Sequence, residues 1–203
     1  MYGVMVAGSI MQATSMAKLF YVIGASGAGK DSLIQYARSN IAHEAQVVFT
    51  HRYITRPADA GGENHVALEE KEFIARENMN CFAMSWHSHE TYYGIGIEIN
   101  QWLAKGLNVV VNGSRAYLPQ ALNKYPELCP VLIHVDTEVL RLRLIQRGRE
   151  NKQQIEHRLM QAQILQKTVV HPGLISIENN GALSDAGSRL LKIVQNIKNK
   201  QCA

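Results

Sequence analysis

The sequence predicts a three-layer α/β fold with a parallel central sheet. Three observations carry this expectation. Short apolar runs alternate with helix-periodic stretches along the chain, the pattern of strands joined by crossover helices. The runs at 18–23 (KLFYVI), 107–111 (LNVVV) and 131–135 (VLIHV) are nearly continuous in apolar residues, as strands covered on both faces are. A glycine-rich turn links the first run to the first helical stretch.

The elements follow in order. The strand at 18–23 enters the turn, and 31–40 reads as a helix with Leu33, Ile34, Ala37 and Ile41 on one face. A second strand falls at 46–50. Residues 51–62 are polar and turn-rich, with Pro57 and the Gly61–Gly62 pair. A short helix at 69–77, a strand at 81–86 and a short piece at 92–96 come next. The helix at 98–105 stops at Gly106. After the strands at 107–111 and 131–135, a helix covers 137–146 before Gly148, with Asp136 as its expected cap. A helix at 153–166, a strand at 174–177 and a helix at 183–197, with Leu190, Leu191 and Val194 inward, complete the chain.

The chain has 203 residues, of which 46% are hydrophobic and 19% charged, which suits one globular domain. Its 21 Lys+Arg against 17 Asp+Glu leave a net charge of +4. That surplus does not argue for nucleic acid, and suits a small anionic ligand if the cations converge. Cys81, Cys129 and Cys202 are far apart, without a CxxC pair, which argues against a disulfide framework or zinc site and for a reduced, cytoplasmic setting. His65, His87 and His89 match no zinc spacing. No apolar run reaches the ~18 residues of a membrane span. The first sixteen residues are apolar and uncharged, without the Lys or Arg of a secretory leader. Residues 1–17 are expected as a disordered extension, and 18–200 as a single domain.

The strongest local signal is Gly24-Ala25-Ser26-Gly27-Ala28-Gly29-Lys30-Asp31-Ser32. A GxxxxGK pattern after a strand and before a helix is a phosphate-binding loop, the P-loop. Its N–H groups and the helix N-terminus face phosphate oxygens, and the lysine reaches the β- and γ-phosphates. Residues 24–32 are therefore the expected ATP site. Asp31 stands where Ser or Thr is usual, with Ser32 one place later. A carboxylate there either binds Mg²⁺, with Ser32, or simply favours the helix N-terminus.

Cations gather after residue 140: Arg141, Arg143, Arg147, Arg149 and Arg158. Arg143 and Arg147 are four apart and share a helix face. Gly148 breaks that helix, and Arg158 returns on the next, so the segment reads as a lid able to close arginines around a phosphoryl group.

With the P-loop, this lid and Tyr92-Tyr93-Gly94, the chain resembles the guanylate-kinase-like P-loop kinases from about 18 to 197. The resemblance implies a P-loop NTPase fold with an acceptor-binding insert at about 50–96 and a lid at about 147–153. It also implies ATP and Mg²⁺, with Arg143, Arg147 and Arg158 around the phosphates. The acceptor segment departs from guanylate kinases. It reads Thr50-His51-Arg52-Tyr53-Ile54-Thr55-Arg56-Pro57, then Gly62-Glu63-Asn64-His65. Guanylate kinases carry a Glu five residues before the YYG element to read guanine, and here that residue is His87. A histidine cannot accept two hydrogen bonds there as a carboxylate can.

HRYITR, GGENH, Ser85-Trp86-His87, YYGIG and VNGSR together are similar to the ribose 1,5-bisphosphate phosphokinases of phosphonate utilisation. That similarity implies transfer of the γ-phosphoryl of ATP to the 5-phosphate of α-D-ribose 1,5-bisphosphate, giving 5-phosphoribosyl 1-diphosphate and ADP. A base-free acceptor with two phosphates needs cations and hydroxyl partners. Arg52 and Arg56 suit the phosphates. Tyr53, Asn64, His65, Tyr93 and Asn112 suit hydroxyls or phosphate oxygens. Asn112 ends its strand where many relatives have an acidic residue, and Asp31 is expected to compensate at the metal. Glu63 reads either as a solvated turn residue or as a contact to water or metal, and Trp86 as core packing or a sugar-stacking wall. Asn179, in Asn179-Asn180-Gly181, is expected beside adenine, although a plain turn explains the same residues. The expected partners are ATP and a sugar bisphosphate, without nucleic acid or membrane; a homodimer is compatible with the sequence. The rival readings are a GMP kinase and a non-catalytic guanylate-kinase-like module.

Overall fold

The computed structural model describes residues 17–59, 63–88, 90–148 and 150–195. The expected N-terminal extension up to residue 16 lies outside them, as do Gly61, Gly62, His89 and Arg149.

Five strands form a parallel central sheet: β1 (Leu19–Gly24), β2 (Val47–Phe49), β7 (Asn108–Asn112), β8 (Cys129–His134) and β9 (Ile175–Glu178), in the order β2-β7-β1-β8-β9. The pleat divides β1 between two cores. Phe20 and Val22 join the cluster under α1 (Lys30–Ser39), α5 (Thr137–Arg147), α6 (Lys152–Thr168) and α7 (Leu183–Gln195). Leu19, Tyr21 and Ile23 face the opposite cluster, covered by α3 (Ile99–Ala104) and α4 (Leu118–Lys124). The near-continuous apolar character of β1 follows from this two-sided burial.

A second, four-stranded sheet contains β3 (Arg52–Ile54), β4 (Val66–Ala67), β5 (Phe82–Ser88) and β6 (Thr91–Gly96), in the order β4-β3-β6-β5. Here β6 runs antiparallel to both β3 and β5, while β3 and β4 are parallel. Met84 and Ile95 bury one face against the central sheet's second core. Tyr53, Phe82 and Tyr92 face the other way and pack with Phe73 of α2 (Glu70–Asn78).

Three local expectations are corrected. The 51–62 segment is not all turn, because Arg52–Ile54 pairs along β6; a three-residue strand is stabilised by that neighbour more than by its own pattern. No element was expected between 112 and 130, where α4 forms with Pro119 in its first turn, a position that needs no intrahelical N–H. Asp136 stands at the N-cap of α5 but its side chain makes no capping bond; its carboxylate lies 3.4 Å from His134 Nε2 instead. The stop at Gly148 is as expected: the residue caps α5 at φ 65°, where glycine lacks the Cβ penalty.

Candidate active site

The carboxyl ends of the parallel strands assemble the site, the usual place for ligands in an open α/β sheet. β1 ends at Gly24 and α1 begins at Lys30, so the glycine-rich loop bridges strand and helix. Gly29 has φ 83°, and a Cβ there would stand 2.6 Å from Asn179 Nδ2. Both conditions call for glycine. Ala28 N–H donates to Ala25 O at 3.1 Å, and Asn179 Nδ2 donates to Ala28 O at 2.8 Å. Asn179 is therefore a buried brace beneath the loop. Asp31 and Ser32 occupy the first turn of α1, with Ser32 exposed.

A polar chain runs from this loop to the second sheet. Lys30 Nζ lies 3.6 Å from Asp31 Oδ1. The Asn112 amide nitrogen donates to the same oxygen at 2.7 Å and to Glu63 Oε2 at 3.0 Å. Glu63 in turn takes Arg52 side-on, with Nε at 2.8 Å and Nη2 on its other oxygen. The Arg52 guanidinium also covers the Tyr93 ring at 5.0 Å. Burial pushes the Asp31 carboxyl up, but the Lys30 charge, the Asn112 hydrogen bond and the Arg52 charge outweigh it. The group is held below the ordinary carboxylate value. Just past Asn112, the buried Tyr21 hydroxyl donates to Ser114 O and accepts from Ser114 N–H, both at 3.0 Å. That pair fixes the turn from which Asn112 projects.

The arginines of the expected lid lie on α5 and α6. Arg158 donates to Ser26 Oγ of the P-loop and lies 3.2 Å from Glu150 Oε1, whose side chain is almost fully buried. Arg143 approaches the loop: its Nη1 is 3.9 Å from the point where a Gly29 Cβ would stand. Arg147 follows one turn later and is exposed. Neither has an ion-pair partner among the described residues. Arg141 turns away, paired with Glu156 and Glu138.

The remaining acceptor candidates are spread around this network. Arg56 follows β3, with its Nε buried and unpartnered. His65 is buried, with Nδ1 3.1 Å from Glu63 O and Nε2 3.1 Å from Arg56 O. It clamps the loop carrying both residues. Asn64 donates to His51 Nε2 at 3.3 Å, and Arg38 Nη1 lies 3.1 Å from that same nitrogen. Burial and the Arg38 charge push the His51 imidazole down, against the raising effect of Glu63. Tyr53 is not brought to the network, because strand alternation sends it to the α2 side with Phe82. His87 is exposed on that side too, against Tyr92. Trp86 lies on the Arg52 side, stacked on Tyr93 at 5.6 Å and 5°.

Sequence reasoning left Glu63 open between a solvated turn residue and a contact to water or metal, and did not single out Glu150 or Arg115. Arg115 ties the turn after Asn112 to α6 through two bonds to Gln161. No helical or strand spacing links these residues to their partners, which lie 8 to 49 positions away. The acidic hub beside an arginine-bearing strand was the available signal for Glu63.

No family model matches the chain. The structure is similar to that of guanylate kinase from Anaplasma phagocytophilum, with a TM-score of 0.65 and 13% identity, covering 92% of this chain and 88% of that one. At that identity the likeness concerns the fold, which is that of a guanylate-kinase-like P-loop protein. Sequence similarity is much closer elsewhere. The ribose 1,5-bisphosphate phosphokinase PhnN of Psychromonas ingrahamii is 53% identical over 182 residues, 90% of this chain and 92% of the relative. The protein of that name from Desulfomicrobium baculatum is 54% identical over 179 residues, 88% of this chain and 95% of the relative. The namesake from Thiobacillus denitrificans shares 53% over 182 residues, 89% and 94% of the two chains. Identity of this degree along nearly the whole of each sequence carries more than a shared fold, and the chain belongs to the ribose 1,5-bisphosphate phosphokinase family.

Proposed function

We propose that the protein transfers the γ-phosphoryl group of ATP to the 5-phosphate of α-D-ribose 1,5-bisphosphate, yielding 5-phosphoribosyl 1-diphosphate and ADP. The observation that carries this reading is the identity of about half the residues to relatives of that name over some nine-tenths of the chain. The attacking atom is a phosphate oxygen that is already ionised, so the protein needs no activated nucleophile. Its work is alignment and charge neutralisation.

In this reading the loop 24–32 holds the ATP phosphates and Lys30 follows the transferring group. Arg143, Arg147 and Arg158 neutralise the charge that develops on it. Arg52 and Arg56 hold the acceptor phosphates, with Asn64, Tyr93 and Asn112 around the sugar. His65 acts through the loop that it clamps, while Tyr53 belongs to the packing against α2. Asn179 serves ATP by bracing the loop, as its bond to Ala28 O supports.

The residues present suit Mg²⁺. Asp31 is kept ionised, its side chain is 40% exposed, and the Ser32 hydroxyl is beside it in sequence; both are hard oxygen donors. Bound there, Mg²⁺ would supply neutralisation of phosphate charge. The proposal includes a cytoplasmic setting and small-molecule partners in place of nucleic acid or membrane. Among the described residues no helix is long and apolar enough to cross a membrane. Sizing of the purified protein decides between monomer and homodimer.

The rival is a GMP kinase, favoured by the likeness to a guanylate kinase fold. ADP release with ribose 1,5-bisphosphate and with GMP separates the two. Turnover of the sugar and none of GMP is expected. Robust GMP turnover without reaction of the sugar overturns the proposal, and ATP binding without transfer to either indicates a non-catalytic module.

A further inference from the structure

The Asn112 side chain has a hydrogen-bonding imbalance that identifies its missing partner. Its nitrogen donates both hydrogens, to Asp31 and to Glu63. The amide is thereby oriented, because turning it over would set its carbonyl against two carboxylates. Asn112 is 6% exposed, and its Oδ1 is buried without a partner. A buried carbonyl oxygen in that state calls for a donor. Phosphate oxygens at neutral pH accept and cannot serve it. A hydroxyl group can.

We propose that Asn112 Oδ1 is the acceptor for a ring hydroxyl of the sugar, which makes Asn112 a residue that selects a hydroxylated acceptor rather than a phosphate ligand. This rests on the activity proposed above. The placement agrees: Asn112 ends β7 beside the P-loop strand and is bonded on one side to the loop and on the other to Glu63, which holds Arg52. The planar amide directs its oxygen away from the two carboxylates on its nitrogen. The oxygen is closed to solvent, so the proposal requires the second sheet to shift against the first when the sugar binds. Closure also sharpens selection, since an analogue lacking the hydroxyl leaves the oxygen unpaired.

The test is a cycle between enzyme and substrate. Wild-type protein and Asn112→Ala are assayed with ribose 1,5-bisphosphate and its 2-deoxy and 3-deoxy analogues, over a range of Mg²⁺. In the wild type, kcat/KM is expected to fall by about tenfold or more for one of the two analogues. Asn112→Ala should lose that discrimination. A merely structural role would slow all three substrates equally and leave the ratios unchanged, which overturns the proposal. Unchanged ratios with a shifted Mg²⁺ requirement also overturn it, in favour of a metal-bound water at Oδ1. Loss of rate with neither analogue in the wild type overturns it without any variant. Failure of the wild type to phosphorylate the parent sugar instead removes the activity on which it rests.

Discussion

At the scale of single residues, the site depends on groups whose charges are matched before substrate arrives. Lys30 and Asp31 oppose each other, as do Arg52 and Glu63, and Asn112 joins the two pairs. Among the described residues, Arg143 and Arg147 of α5 have no ion-pair partner. Asp31 is the most exposed carboxylate of the network and is held ionised by its neighbours. Its proposed part in metal binding makes a direct prediction. Asp31→Ala should raise the Mg²⁺ concentration needed for half-maximal rate, measured at saturating ATP and sugar. An Mg²⁺ dependence identical to the wild type would leave Asp31 with no more than its place at the helix N-terminus.

At the scale of elements, the proposed lid consists of α5, the Gly148 turn and α6. Gly148 ends α5 in the left-handed conformation, and Arg158 returns on α6 to Ser26 of the P-loop, backed by the buried Glu150. The sequence spacing of Arg143, Arg147 and Gly148 already implied a helix with cations near its end. The docking of Arg158 on Ser26, 132 residues away in the chain, was not readable from spacing. The proposed role of Arg158 predicts that Arg158→Met lowers kcat by about 10²- to 10³-fold, the usual effect of removing one donor to a developing anion. The Michaelis constant for ATP should change far less. An unaltered kcat would reduce the Ser26 contact to a packing detail.

At the scale of the molecule, the scaffold and the site are separable. α7 packs over α1, where Gly187 meets the Tyr36 ring so closely that a Cβ would stand 2.3 Å from it. Gly187→Ala should overpack this layer and destabilise the fold by about 1–3 kcal/mol. Thermal unfolding should shift down by several degrees, while the Michaelis constants of both substrates hold. A variant that melts normally would mean that α7 slides without loss. The scaffold's two cores divide along the alternating faces of β1, β7 and β8, and the second sheet attaches to one of them. That attachment brings Arg52, Tyr93 and Trp86 to the side facing the central sheet and turns Tyr53 and His87 outward.

The sequence by itself determined the parallel sheet, the P-loop and the helix breaks, because period, glycine placement and strand–loop–helix order are local properties of the backbone. It also carried the family, through short motifs spread along most of the chain. Tertiary structure alone decided which polar residues face one another. A strand of three residues such as β3 has no pattern long enough to reveal its register, so the opposite directions of Arg52 and Tyr53 relative to the site became visible only on pairing with β6. For the same reason Glu63 emerged as the hub between Arg52 and Asn112: hydrogen bonds between residues 11 and 49 positions apart are set by how two sheets meet, and no local rule of sequence encodes that meeting.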